Sequence, residues 1–259
     1  MTGFNPFILA ENIRRRVTRV KNGVEYRMYY RFRGGRWYGG IATGDVVGCN
    51  LRCKFCWSWR YSHRCGYGKF YSPHTVYKKL VEIASRRGYR YLCLSGGEPT
   101  LSMNHLLQLL ELLDNTDYIF ILETNGLLIG YDKVFAERLA RHRSLVVRVS
   151  FKGTSPEEFE ALTGASKEFY DYQFKALENL IEAGLEPGER VYPAVMLSFS
   201  EPENIKRFVE RLKSIDPVLP ESIDPEYVIL YPHVVELMRR YGLRPRKAFR
   251  PDGLPGFMI

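Results

Sequence analysis

From about residue 41 onward, short apolar runs alternate with segments of helical period, and that rhythm narrows the folds open to this chain. The runs at 42–47, 91–95, 118–122, 145–151, 190–197 and 227–231 read as strands. The segments at 73–87, 103–113, 132–141, 169–183, 201–215 and 234–241 read as helices. Six such repeats imply a parallel sheet, because a crossover between parallel strands needs the intervening helix. Several boundaries have local causes. Ser72-Pro73 is a cap followed by proline at the first helical position, and Gly88 after Arg86-Arg87 is a stop signal. Ser155-Pro156-Glu157-Glu158 opens a short helix before Gly164, and Gly184 closes the 169–183 helix.

Two flanks fall outside the rhythm. Residues 1–40 read as an N-terminal extension whose runs 24–32 and 37–41 flank Arg33-Gly34-Gly35-Arg36, a hairpin turn. Residues 244–259 read as a basic tail carrying Pro245, Pro251 and Pro255. The core is then 41–243, one large α/β domain in a chain of 259 residues. Apolar residues at 45% and charged residues at 26% exclude wholesale disorder. No apolar run approaches the roughly 18 residues of a membrane span, and residues 7–10 are too short for a secretory signal. The chain reads as cytoplasmic.

Charge is uneven. Residues 1–70 hold 14 basic and three acidic side chains, and the remaining 189 hold 24 and 26. The same 70 residues contain Trp37, Trp57 and Trp59. A basic, aromatic N-terminal face has two readings: a nucleic-acid footprint, or an arginine-rich solubilising surface.

Five cysteines, an odd number with three clustered, do not form a disulfide framework. The cluster is Cys49, Cys53 and Cys56, spaced C-x3-C-x2-C directly after the first core strand. Three thiolates on one loop suit zinc or an iron–sulfur centre, and three ligands leave one coordination position open. A structural zinc site would take its fourth ligand from His63 or Cys65, and that alternative stays open at this point. Ser95-Gly96-Gly97-Glu98-Pro99-Thr100 follows the second strand, Glu123-Thr124-Asn125-Gly126 the third, and Ser150-Phe151-Lys152-Gly153 ends the fourth. Parallel α/β folds place their sites at these C-terminal strand ends.

The cysteine spacing, the aromatic Phe55 before the third cysteine and the GGEP segment resemble the radical S-adenosylmethionine (SAM) superfamily over roughly residues 41–200. The branch it is most similar to holds glycyl-radical-enzyme activases and 7-carboxy-7-deazaguanine synthase. The resemblance implies an α/β fold, a partial (β/α)6 TIM-like barrel with the N-terminal hairpin attached. It implies a [4Fe–4S] cluster on Cys49, Cys53 and Cys56 with SAM on the fourth iron. By the same resemblance Gly96, Gly97 and Glu98 receive the methionyl end of SAM, and Phe55 and the fifth strand flank adenine. Asn125, Ser150 and Lys152 are the remaining polar contacts. An external flavodoxin- or ferredoxin-like protein would supply one electron. The cleaved SAM would yield a 5′-deoxyadenosyl radical that abstracts hydrogen from a protein, peptide or small molecule. The fifth-strand region 194–200 lacks the family's G-x-I-x-G-x-x-E pattern, and an acidic residue common in the activases is replaced by Ser150. No second cysteine cluster lies near the C-terminus.

Two other functions compete. One is modification of RNA docked on the basic N-terminal face. The other is a non-catalytic binding protein stabilised by zinc or an iron–sulfur cluster. Cys93, inside an apolar strand, reads as a small buried hydrophobe, Cys65 as an ordinary loop cysteine, and His63 and His74 as surface residues. Trp57 and Trp59 serve loop packing and substrate stacking equally well.

Overall fold

The structure, a computed structural model, describes residues 3–256; residues 257–259 of the expected tail lie outside it. The 1–40 stretch begins with a helix rather than a hairpin. Asn5 accepts from the backbone N–H groups of Phe7 and Ile8, and Pro6 occupies the first turn of α1 (Pro6–Val17). The strands β1 (Thr18–Lys21) and β2 (Val24–Gly35) then pair antiparallel. Their turn is Asn22-Gly23, both at positive φ, the conformation that two-residue hairpins demand.

The expected hairpin around Arg33–Arg36 is displaced. β2 runs on to Gly35, the turn is the single 3-10 turn Trp37–Gly39, and the returning strand is β3 (Ile41–Val46). The run 37–41 is thus mostly turn, and the hairpin's second strand is the first strand of the parallel sheet itself. Gly39 and Gly40, both at positive φ, are what let the chain reverse there.

The chain continues through α2 (Trp59–Ser62), β4 (Lys69–Tyr71), α3 (Pro73–Arg87), β5 (Tyr91–Gly96), α4 (Met103–Leu113), β6 (Ile119–Thr124), α5 (Leu127–Tyr131) and α6 (Lys133–Ala140). It ends with β7 (Leu145–Phe151), α7 (Pro156–Thr163), α8 (Asp171–Glu182), β8 (Val191–Met196), α9 (Pro202–Ile215), β9 (Asp224–Glu226), β10 (Val228–Ile229), α10 (Pro232–Arg240) and β11 (Ala248–Phe249). The sheet order is β1-β2-β3-β5-β6-β7-β8-β9, with β4 on β2. Pairing is parallel from β3 to β9, which gives six parallel strands and the (β/α)6 connectivity.

The sixth strand differs from its expected position. The 227–231 run is not in the main sheet. Asp224, Pro225 and Glu226 pair with Ala194, Val195 and Met196 of β8, whereas Val228 and Ile229 pair with Ala248 and Phe249 of the tail. An edge strand tolerates the missing N–H of Pro225, so an acidic, proline-containing triplet can take the place of the more apolar run beside it.

The two faces of the sheet divide the labour. Leu92, Leu94, Phe120, Leu122, Val147, Val149 and Phe151 are buried in the main core with the helices. Phe151 packs edge-on against Phe174 of α8 and Phe208 of α9, with ring centroids 4.8 and 5.0 Å away. The alternate positions carry Thr43, Ser95, Glu123, Arg148, Ser150, Tyr192, Asp224 and Glu226, and all of these line one cavity. Strands from the first to the last of the parallel set therefore curl around a shared interior, a partial barrel whose lumen carries charged and hydroxyl side chains among apolar ones. A filled apolar lumen would be a packed core; an open one with convergent polar groups is a place for a ligand. No helix among the described residues is long and apolar enough to cross a membrane.

Candidate active site

The cysteine loop leaves β3 through Gly48, whose φ is 85° and whose position allows no Cβ, since one would lie 2.6 Å from Ile13 Cγ2 of α1. The loop is then pinned on both sides by backbone hydrogen bonds. Gly48 and Cys49 donate to the carbonyls of Tyr61 and Ser62, and Arg52 and Lys54 donate to those of Thr163 and Leu162 at the end of α7. Cys49, Cys53 and Cys56 all reach the cavity, which has a volume of ≈ 980 Å³. Cys49 Sγ accepts from the Leu51 N–H at 3.4 Å, and Cys56 Sγ lies 3.4 Å from the hydroxyls of both Ser58 and Ser62. Burial, with the Glu98 carboxylate next, pushes the Cys49 thiol up to about 12, and burial likewise raises Cys53.

Among the described residues no three His, Cys, Asp or Glu side chains are gathered as a ready-made single-ion site. What fits a cluster is the donor chemistry. Three soft sulfur atoms from one immobilised loop share a cavity, with N–H and O–H donors beside them of the kind that tune bound thiolates. The fourth zinc ligand offered by the sequence does not join them in full. His63 lines the cavity, but Cys65 packs with the separate cluster of α1, Met28 and Val47.

The GGEP segment lies directly against this loop. Gly97 N–H donates to Val46 and Glu98 N–H to Gly48, and a Cβ on Gly97 would run into the Gly48 carbonyl oxygen. Gly97 is therefore needed for one backbone to lie on another. The Gly96 carbonyl accepts from the Ser58 hydroxyl. Glu98, 2% exposed, holds its carboxylate in four hydrogen bonds: Oε1 accepts from Thr100 N–H, Thr100 Oγ1 and Thr124 Oγ1, and Oε2 from Asn125 N–H. It ties the end of β6 to the end of β5. Asn125 in turn donates to Asn50 Oδ1 at 2.7 Å, which joins the third strand's end to the cysteine loop. Phe55 is buried and packs on Phe199 with ring centroids 5.5 Å apart.

Ser150 and Lys152, expected as polar contacts, both line the cavity and both bind Glu226. Ser150 Oγ donates to Glu226 Oε1 at 2.8 Å, and Lys152 Nζ lies 3.1 Å from Oε2 and also donates to Ser150. Arg148 donates to Glu226 at 2.7 Å and to Asp224 at 2.7 Å. Burial alone would push the Glu226 carboxyl up, but Lys152 and Arg148 outweigh it and hold it down at about 2. The sequence reading missed Arg148, Asp224 and Glu226. The i, i+2 spacing of Asp224 and Glu226 was the available signal, lost when the sixth strand was placed a few residues late. Deeper in the lumen, Glu123 accepts from Tyr38 at 3.1 Å and from Ser95 at 2.6 Å. Cys93, read as a plain hydrophobe, is buried yet also lines the cavity wall.

The expected site residues thus converge on one cavity at the C-terminal ends of the parallel strands. The model of the radical SAM superfamily matches residues 45–212. This chain belongs to the radical SAM superfamily. Radical SAM enzymes use a [4Fe–4S] cluster and SAM, in accord with the thiol loop described above. Among its relatives, a pyruvate formate-lyase-activating enzyme of Clostridium pasteurianum is 27% identical over 203 residues, 78% of this chain and 81% of that protein. A 7-carboxy-7-deazaguanine synthase of Hyperthermus butylicus is 40% identical over 83 residues, 32% of this chain and 33% of that protein. Among solved structures, the [FeFe]-hydrogenase maturase HydG is similar in fold with a TM-score of 0.57 at 16% identity, over 73% of this chain and 42% of that one. The chain spans most of the activating enzyme, a third of the synthase and less than half of the maturase.

Proposed function

We propose that this radical SAM enzyme reductively cleaves SAM in the cavity described above and uses the resulting radical to abstract hydrogen from a bound substrate. The observation that carries the reading is convergence. The thiol loop after β3, the GGE turn at the end of β5, Asn125 after β6, Ser150 on β7 and Lys152 just after it all face one cavity. A [4Fe–4S] cluster held by Cys49, Cys53 and Cys56 would supply one-electron reduction, fed by an external flavodoxin- or ferredoxin-like donor, for splitting SAM into methionine and a 5′-deoxyadenosyl radical.

The chain's own residues bind, orient and exclude water. Cys49, Cys53 and Cys56 are the iron ligands. The Gly96–Gly97 backbone and Glu98 form the methionyl seat, and Glu98 is rigid there because its carboxylate is already held by Thr100, Thr124 and Asn125. Phe55 and the end of β8 supply an apolar wall. Ser150 and Lys152 present a hydroxyl and an ammonium whose positions Glu226 sets. A seat this constrained suits a reaction in which a primary radical must meet one hydrogen atom and no other.

The test is spectroscopic. Protein reconstituted anaerobically with iron and sulfide and reduced with dithionite should give a [4Fe–4S] electron paramagnetic resonance signal whose shape changes when SAM is added. Cys53→Ala should lose both. A reduced cluster indifferent to SAM, or a protein that takes up zinc in place of iron, contradicts the proposal.

A further inference from the structure

The mouth of the cavity carries a feature that the cluster and SAM chemistry do not use. Between Tyr29 and Arg31 the pairing of β2 with β3 slips: Tyr29 opposes Val46, and Arg31 opposes the very next residue, Asp45. The extra residue is Tyr30, a β-bulge. Without it, Tyr29, Arg31 and Arg33 would share a face. With it, Tyr29 is turned into the core behind the sheet, 1% exposed, while Tyr30, Arg31 and Arg33 line the cavity.

Two arginines then share one carboxylate. Asp45 is fully buried, and it accepts from Arg31 Nε at 2.6 Å and from Arg33 Nε and Nη2 at 2.9 and 3.2 Å. Arg33 is spent on that fork except for Nη1. Arg31 is tethered only through Nε, and among the described residues its two terminal nitrogens have no hydrogen-bond partner. The next carboxylate on the wall, Glu123, is held by Tyr38 and Ser95. Asp45 thus anchors both guanidinium groups, and the unbonded terminal nitrogens of Arg31 stand at the cavity mouth. Above it lies Trp57 of the cysteine loop, with both guanidinium groups 5.8 Å from the ring centroid and the residue 40% exposed. The Trp57 carbonyl is bonded to His233 of α10 at 2.8 Å, so the indole is carried by a loop fixed from both sides of the mouth.

We infer that Arg31, set by the Tyr30 bulge and by Asp45 and flanked by Trp57, is a subsite for an oxyanion, a carboxylate or a phosphate, borne on a substrate with a flat ring. The inference rests on the proposed radical SAM reading for its meaning as a substrate site, but its chemistry is independent of that reading. A guanidinium tethered at Nε presents its terminal N–H groups as a fork that matches an oxyanion, and an exposed indole offers a face on which a ring stacks. Arg31 and Trp57 line the same cavity as the thiol loop and the GGE turn, so a ligand held there would lie in the space that the proposed reaction uses.

Phenyl phosphate, benzoate and phenol distinguish the sources of binding. They are titrated calorimetrically and anaerobically into the reconstituted holoenzyme with SAM present. Phenyl phosphate or benzoate should bind at least about tenfold more tightly than phenol. Arg31→Gln should erase that difference, and Arg31→Lys, which keeps the charge without the fork, should fall between. Arg36→Gln, an exposed arginine outside the cavity, should bind like the parent, and iron content reports that each variant is folded. Equal binding of the three probes, binding of none of them, or unchanged anion binding by Arg31→Gln overturns the subsite. Anion binding through Arg31 in a protein that makes no 5′-deoxyadenosine keeps the subsite and contradicts the SAM reading instead; the reverse pattern contradicts the subsite alone.

Discussion

Two buried polar networks sit on opposite faces of the same sheet and are built on different principles. Behind it, Glu25 of β2 accepts from Ser102 Oγ and His105 N–H at 2.8 and 3.1 Å. His105 Nδ1 meets the Glu25 carbonyl at 2.9 Å and so carries the proton, which leaves Nε2 to accept from Tyr29 at 2.8 Å. Arg27, 1% exposed, donates to the carbonyls of Val17, Met28 and Glu98. None of Tyr29, Arg27 and His105 lines the cavity. In front, Arg148, Lys152, Asp224 and Glu226 form a charged network that does line it. The rear network closes on itself and clamps the N-terminal elements to the barrel. The front one keeps charge next to open space, which costs desolvation and is worth retaining where a ligand completes it.

Glu98 links the rear network to the cavity, since Arg27 holds its carbonyl and its carboxylate holds the end of β6. Glu98→Ala should therefore have the largest effect short of removing a thiol. It leaves the Thr124 hydroxyl and the Asn125 N–H unpaired and unseats the methionyl end of SAM. We expect 5′-deoxyadenosine formation to fall by about a hundredfold or more, read by mass spectrometry.

Glu226→Gln breaks only the front network. It leaves Arg148 and Lys152 short of a countercharge, at a cost of about 3 kcal/mol in urea unfolding. Turnover should fall as well, because Lys152 and Ser150 lose the group that aims them. A variant that loses stability but keeps full turnover would mean that the network is only structural.

The smallest effect separates the two networks by pH. Burial holds His105 down at about 4, below its usual value of about 6.5. A folded pKa below the unfolded one means stability that is full above about 6.5 and is lost as pH falls toward 4. Glu226, held at about 2, gives stability that is lost only lower, between about 4.3 and 2. Urea midpoints of the wild type should decline across the upper window. His105→Gln should flatten that limb in part, since burial also holds His63 at about 4. Glu226→Gln should leave the upper limb unchanged and flatten the lower one. An unchanged upper limb in His105→Gln would show that the rear network titrates elsewhere.

The strand–helix order was legible because each strand's outer face needs apolar residues and each helix carries its own caps. The thiol loop and the GGE turn were legible because each is a short run of fixed spacing, three cysteines within residues 49–56 and two glycines before Glu98, although their partners lie far away in sequence. What escaped the sequence depends on register. The Tyr30 bulge decides which way Arg31 points, and nothing in the order of residues 27–33 marks it. Glu226 escaped because a proline between two acids reads as loop, and only pairing with β8 makes it strand. Helix α1 was the avoidable miss, since Asn5-Pro6 is a start signal like Ser72-Pro73.

The measurement that tests the account most directly is 5′-deoxyadenosine, quantified by mass spectrometry after anaerobic incubation of reconstituted protein with SAM and dithionite. Wild type should form it, and Cys53→Ala should form none. Equal amounts from both, or none from a wild type that holds an intact, reducible [4Fe–4S] cluster and binds SAM, would contradict the claim that this cavity is a radical-generating site.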